Sequence, residues 1–410
     1  MPSSGPGACG ISTQTGAPNR LERQVISGPA AACAELVGRY RVGADHVTVL
    51  PATDEPVAMF AILADAYDAR SPLSSPTDDG CACREDERVM TATRSVHVVA
   101  AGHAHPPTVL ANDALEGVVP GLQAGWLDDR LGIGTRHVLA THESLADLAV
   151  GAVRDALGSA GWDGGTVDGL ICATSFVDEI LPASASFISR SICPTAVAFD
   201  VNAACASFPY AVAIAESMMS GRRDLERVVV CAAERPTVWA DYQDRESSIF
   251  WGDAVGCVLL EQGWSRPSFR VVEVALANDN AHPEKVRVRH HGHFHHDGRY
   301  SYQQVLDLSE RTATQVLKNA GLGAGDLYAF VGHQSNVRLL AALGERLGIG
   351  WDRQWHNVEW AGNQAGAGVA TAFSLGWAEH GDDLTPGDHV LLAAVGGGYS
   401  GGAILLEWVG

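Results

Sequence analysis

The sequence predicts a layered α/β protein built from two similar halves, and three observations carry that prediction. From Ser95 onward, short apolar runs alternate with helical stretches. Three strand-like motifs recur in the same order along the chain. Apolar residues make up 46% of the 410 and charged residues 19%, a globular composition with enough length to bury a sizeable core.

The repeat is faint but ordered. Gly169-Leu170-Ile171-Cys172-Ala173-Thr174-Ser175 parallels Ala329-Phe330-Val331-Gly332-His333-Gln334-Ser335, each a short strand running into a polar loop. Val228-Val229-Val230-Cys231-Ala232-Ala233 parallels Val390-Leu391-Leu392-Ala393-Ala394-Val395. Gly256-Cys257-Val258-Leu259-Leu260-Glu261 parallels Gly402-Ala403-Ile404-Leu405-Leu406-Glu407. The halves are expected at residues 94–263 and 264–410.

Residues 1–93 read as an extension and linker. A strand is expected near 47–50 and a helix over 57–67, followed by a Pro- and Ser-rich linker at 71–80. Residues 1–89 read either as an appendage or as the result of a start codon placed too far upstream, with Met90 as the alternative start. The first clear strand is expected at 96–101.

A net charge of −20 argues against a broad nucleic-acid surface, which needs clustered cations. No apolar run reaches the roughly 18 residues of a membrane span, and the first residues lack a signal peptide's basic start and apolar core. A cytoplasmic protein is the expectation. Cys172, Cys231 and Cys257 lie singly in apolar runs, as small buried hydrophobes do in a reducing compartment. Cys81 and Cys83 have no second ligand pair nearby, so no metal site is expected there.

Chemistry concentrates in four places. In Asn202-Ala203-Ala204-Cys205-Ala206-Ser207-Phe208-Pro209, a strand gives way to a helix expected over 208–219. That puts Cys205 beside a helix N-terminus, where free N–H groups and partial positive charge favour thiolate. Gly332-His333-Gln334 places a histidine just past a strand end, and Gly362-Asn363-Gln364 places an amide in a small-residue loop before a helix. Gly396-Gly397-Gly398 lets backbone N–H groups approach a ligand. Singly, a core histidine, an asparagine bonding its own loop and a glycine turn account for the last three equally well.

Together, in this order, these residues resemble the β-ketoacyl-acyl carrier protein synthase III family of the thiolase superfamily, over about residues 94–410. The resemblance implies a thiolase-like five-layered αβαβα fold. It implies that Cys205 is acylated, that His333 and Asn363 bind the second thioester's carbonyl and promote its decarboxylation, and that the N–H groups of Cys205 and Gly397 form the oxyanion hole. Trp126 and Arg130 match the family's coenzyme A segment, and Arg245 the arginine on the adenine's other side. Arg338 matches a position linked to carrier-protein docking, and Leu181 one that limits acyl chain length. Two departures stand out: Ser207 replaces a usual glycine, and Val395 stands where condensing members often carry Phe.

The implied reaction loads an acyl group from acyl-CoA onto Cys205 and condenses it with malonyl-acyl carrier protein, in a homodimer, with coenzyme A thioesters as substrates and no cofactor. An acyltransferase that passes the Cys205-bound group to a hydroxyl or amine, and a Cys/His hydrolase, use the same residues. A dinucleotide-binding oxidoreductase is disfavoured, because a strand follows the Gly396 run where that motif needs a helix. His290-His291-Gly292-His293-Phe294-His295-His296 is expected to be a solvated loop with at most weak metal affinity.

Overall fold

The computed structural model describes residues 95–263 and 266–410 in full, together with the backbone of strands Gly10–Thr13, Gln24–Ser27 and Thr48–Val49. The chain divides into two units, Met1–Arg88 and Val89–Gly410. In the first, the three short strands form one sheet, the first pair antiparallel and the second parallel. The helix expected at 57–67, the linker at 71–80 and Cys81 and Cys83 lie outside the described residues.

The second unit is organised around nine strands: β1 (Val96–Ala104), β2 (Gly169–Ala173), β3 (Val197–Val201), β4 (Arg227–Glu234), β5 (Ala254–Gln262), β6 (Phe269–Asn278), β7 (Leu327–Val331), β8 (His389–Gly396) and β9 (Ser400–Trp408). Their order is β7-β8-β9-β6-β1-β5-β4-β2-β3. Most of these strands are buried on both faces, which is why they read as unbroken apolar runs rather than alternating ones.

The two halves of the sheet repeat one pattern. In β1-β5-β4-β2-β3 the first two pairings are antiparallel and the next two parallel. In β6-β9-β8-β7 the pairings are antiparallel, antiparallel and parallel, and Gln354 then bridges Phe330 in parallel where a further strand would lie. The three sequence repeats fall on β2 and β7, β4 and β8, β5 and β9, which hold equivalent places in the two halves. The halves meet through β1 and β6, at Phe269 opposite Val98 and Arg270 opposite His97.

Helices complete five layers. Helices α1 (Leu145–Ala160) and α2 (Ser184–Ile192) cover the outer face of the first half, with their own core around Val153, Ile188 and Leu259. Helices α4 (Gly298–Ala320) and α5 (Val337–Leu347) do the same for the second, around Leu317, Phe330 and Leu343. Between the half-sheets lie α3 (Ser207–Gly221) and α6 (Ala367–His380), whose residues join one central core with Val230, Val258, Leu392 and Ile404.

Over its first two turns, residues 367–374, α6 is buried on every side and is built largely of Ala, Gly, Thr and Ser, while its last turn reaches water at Ala378 and Glu379. Its fit is backbone-close: a Cβ on Gly256 of β5 would stand 2.6 Å from Ala370 Cβ and 2.7 Å from Thr371 N. The two central helices matter for function because each begins at the end of a loop that carries a candidate residue, Cys205 before α3 and Asn363 before α6.

Candidate active site

Cys205 sits in a turn that is strained and tied. Ala204 before it takes φ 51°, a left-handed value that costs a residue with a Cβ energy. Ser207 stabilises the turn: its Oγ accepts from Ala203 N at 2.9 Å and donates to Ala204 O at 2.6 Å. The hydroxyl that replaces the family's usual glycine is therefore a structural tie across the nucleophile turn. The helix itself runs over Ser207–Gly221, slightly longer than the sequence suggests.

Two cavities meet at Cys205. The first, of ≈ 610 Å³, is walled by Phe176, Val177, Ile180, Trp239, Val288 and neighbours, with the exposed Arg287 and Arg289 among its lining residues. The second, of ≈ 320 Å³, is lined by His333, Asn363, Val395 and Gly397, with Trp126 and Arg245 also in its wall. Val286, Phe294 and Gly397 border both cavities beside the thiol.

The thiol is not poised as a thiolate, contrary to what the helix start alone suggests. Burial, with the nearby Glu234 carboxylate adding to it, pushes the Cys205 thiol up to about 12. The same burial pushes His333 down to about 4, so its imidazole is neutral near pH 7. His333 is 4% exposed and its Nδ1 has no hydrogen-bond partner. A neutral imidazole still carries one N–H to donate to a carbonyl oxygen.

Asn363 is held from both sides by one segment. Its N–H donates to Phe250 O at 2.7 Å, and its carbonyl accepts from Gly252 N at 3.0 Å. Its side-chain Oδ1 accepts from Ala365 N at 3.0 Å, the loop bond that a purely structural asparagine would also make. With the oxygen occupied, the amide NH₂ is the group left to donate within the cavity that Asn363 lines.

The outlying sequence-predicted residues divide. Arg245 Cζ lies 5.5 Å from the Trp126 ring centroid, a direct cation–π contact. A purine between them needs about 7 Å, two contacts of about 3.5 Å, so a stacked base has to part the pair. Arg338 donates to Asp129 O at 2.7 Å, joining α5 to the short helix Trp126–Leu131. Arg130 is exposed on that helix and is not among the residues that line the cavity. Leu181 is 84% exposed and is not among the residues lining the larger cavity of this chain, whose wall includes its neighbour Ile180.

Two residues escaped the sequence reading. Glu234, at the end of β4, is fully buried; its Oε2 accepts from Ser175 N at 3.0 Å and Phe176 N at 2.8 Å, and Oε1 lies beside Gly366. It joins a loop of the larger cavity to the loop carrying Asn363, and burial pushes its carboxyl up to about 8. His296 is the other. The His-rich stretch is only partly loop: Phe294–His296 pairs antiparallel with Val286–Val288, and His296 lines the smaller cavity. Among the described residues no group of three or more His, Cys, Asp or Glu could hold a metal ion.

This arrangement has close relatives. Family models described as 3-oxoacyl-[acyl-carrier-protein (ACP)] synthase III and its C-terminal domain match residues 199–280 and 317–408. The β-ketoacyl-[acyl-carrier-protein] synthase III of Cereibacter sphaeroides is 33% identical over 318 residues, 75% of this chain and 97% of that protein. That of Dinoroseobacter shibae is 33% identical over 323 residues, 76% and 98% of the two chains. The chain belongs to the β-ketoacyl-[acyl-carrier-protein] synthase III family. In structure it is similar to 3-oxoacyl-[acyl-carrier-protein] synthase III from Aquifex aeolicus, with TM-score 0.72 and 27% identity over 76% of this chain and all of that one. It is also similar to the priming β-ketosynthase of the R1128 polyketide pathway, with TM-score 0.71 and 25% identity over 77% and 97%. As a β-ketoacyl synthase III family member it has the thiolase-like fold, and its described residues include no helix long and apolar enough to cross a membrane. Cys172, Cys231 and Cys257 are buried free thiols, as their apolar runs imply.

Proposed function

We propose that this synthase transfers an acyl group from acyl-CoA to Cys205 and condenses it with malonyl-acyl carrier protein, releasing carbon dioxide. The observation that carries the reading is the meeting of two cavities at one thiol, the smaller also lined by His333 and Asn363. One cavity suits the acyl chain and the other the arm that delivers a thioester.

In the first half-reaction the Cys205 sulfur attacks the thioester carbonyl. The C–S bond to coenzyme A breaks, the acyl–Cys205 bond forms, and the thiol proton ends on the departing coenzyme A sulfur. The N–H groups of Cys205 and Gly397 stabilise the tetrahedral oxyanion. Because the free thiol is held protonated, it gives up its proton only as the new bond forms. Trp126, Arg245 and the exposed Arg130 hold the nucleotide end, and Arg338 lies on the surface that meets the carrier protein.

In the second half-reaction the malonyl carboxylate leaves as carbon dioxide. Its bonding electrons form an enolate whose oxygen is stabilised by N–H donors from His333 and the Asn363 amide. The enolate carbon attacks the acyl–Cys205 carbonyl, and the Cys205 sulfur leaves and takes up a proton. A homodimer with an acyl carrier protein partner fits this reading at the level of the family, as does a cytoplasmic location.

Two measurements test the proposal together. Mass spectrometry of the intact protein after exposure to a panel of acyl-CoAs reads Cys205 loading. Carbon dioxide release on adding malonyl-acyl carrier protein reads condensation. Loading followed by free acid, or by an ester or amide without carbon dioxide, overturns it.

A further inference from the structure

The hairpin formed by Val286–Val288 and Phe294–His296 has two chemically different faces. Its register sets Val286 opposite His296, Arg287 opposite His295 and Val288 opposite Phe294. Side chains alternate across a strand, so Val286, Val288, Phe294 and His296 share one face. Val286 and Phe294 border both cavities at Cys205, whereas Arg287 and His295 are exposed. His296 is thus the one titratable side chain on a face otherwise made of Val and Phe.

Its ring lies 5.7 Å from the Phe250 ring and 5.3 Å from the Phe294 ring, centroid to centroid. It lines the cavity that Trp126, Arg245, Cys205 and His333 also line. Neither ring nitrogen makes a hydrogen bond to another described residue, and the residue is one of those lining the cavity. The neighbouring wall is mainly apolar, with Ile249, Phe250, Trp251 and Val305, and also includes the polar Glu246 and Ser301. A polar group passing through such a wall loses its water and needs a partner.

We propose that His296 is a positioning residue that hydrogen-bonds an amide of the pantetheine arm as the thioester is delivered to Cys205. The inference rests on the reading that pantetheinyl thioesters enter this cavity. That arm carries two amides between the nucleotide or carrier end and the sulfur, and a neutral imidazole serves an amide either as donor or as acceptor. Phe at this position would keep the ring's shape and remove the bond, whereas Gln would keep a donor and an acceptor.

The test compares wild type, His296→Phe and His296→Gln in single-turnover acylation of Cys205, read by intact mass. Each receives the acyl-CoA that loads wild type best, and the phenyl thioester of the same acid, which lacks the arm. For His296→Phe the half-saturating acyl-CoA concentration should rise about tenfold, roughly the effect of one net hydrogen bond. The rate at saturation should change little, and the efficiency ratio of acyl-CoA to phenyl thioester should fall about tenfold. His296→Gln should recover most of that ratio. An unchanged ratio in His296→Phe, or equal losses with both donors, overturns the role of His296. If no acyl-CoA loads wild-type Cys205, the reading beneath the inference fails and the inference with it.

Discussion

A Cβ placed on Gly396 would stand 2.7 Å from the backbone nitrogen of Cys205 and 2.4 Å from the carbonyl oxygen of Ala203. The end of β8 therefore lies backbone against backbone on the nucleophile turn, which only glycine permits. This contact fixes where the Cys205 N–H stands relative to the next residue, Gly397, the other proposed oxyanion donor. Strand β8 belongs to the second half and Cys205 to the first, so the oxyanion hole depends on how the halves dock.

Gly396→Ala should consequently lower the rate of Cys205 acylation by about 10² or more, the scale of one lost oxyanion donor. Gly397→Ala should be milder, because the added Cβ meets Val286 Cγ1 at 2.9 Å and a side chain can turn aside. Single-turnover acylation of the two folded variants, verified by circular dichroism, makes the comparison. Equal rates in the two variants would show that the Gly396 contact does not govern the hole.

Cys205→Ala should abolish the acyl adduct and keep the fold. The wild-type thiol makes a sharper statement about pH. Burial holds it up to about 12, so at pH 7 to 9 only a small fraction is thiolate. Iodoacetamide alkylation of unliganded Cys205 should rise about tenfold per pH unit up to at least pH 9, without a plateau. A plateau near neutral pH would mean that the helix start outweighs burial after all.

What could be read in the sequence, and what could not, divides along a physical line. The strands at 169–173, 228–233 and 256–261 and their counterparts were legible because doubly buried strands stay apolar residue after residue. Cys205, His333 and Asn363 were legible because each lies among small residues at the end of an element. Glu234 was not: it matters through Ser175, Phe176 and Gly366, which are distant in sequence and meet only in the fold. His296 was hidden in a run of histidines whose inward and outward members separate only once the pairing with Val286–Val288 is known. The state of the Cys205 thiol depends on burial, which a local reading of the helix start does not contain.

Glu234 should make the protein less stable as pH rises. Its folded value of about 8 lies above the ordinary 4.5, so the folded state keeps a proton that the unfolded state releases between those values. Stability is full below about pH 4.5 and falls as pH rises towards 8, by about 1.4 kcal/mol per unit at most and on the order of a few kcal/mol in all. Glu234→Gln keeps an oxygen for the Ser175 and Phe176 N–H groups and cannot ionise. Urea midpoints at pH 5 and pH 9 should therefore differ more for wild type than for Glu234→Gln. Asp253, raised to about 6 by burial, leaves the same smaller slope in both proteins. Identical falls in the two would assign the pH dependence elsewhere.

His333 and Asn363 should separate the two half-reactions. The enolate formed as malonyl loses carbon dioxide is a charge that does not exist during acylation, and both side chains are proposed to donate to it. With Asn363 Oδ1 engaged by Ala365 N at 3.0 Å, the amide presents its NH₂, which suits an oxyanion and cannot act as a base. His333, neutral because burial pushes it down to about 4, also acts as a donor without adding a charge. Replacing either with Ala should leave Cys205 acylation within a few-fold of wild type and lower condensation by about 10² or more. If the acceptor were instead a hydroxyl, His333 would have to deprotonate it, and Asn363→Ala would be nearly harmless. Single-turnover measurement of loading and of carbon dioxide release in both variants decides between these outcomes. Severe, similar losses confined to the second step support condensation, and an active Asn363→Ala condensing at the wild-type rate defeats it.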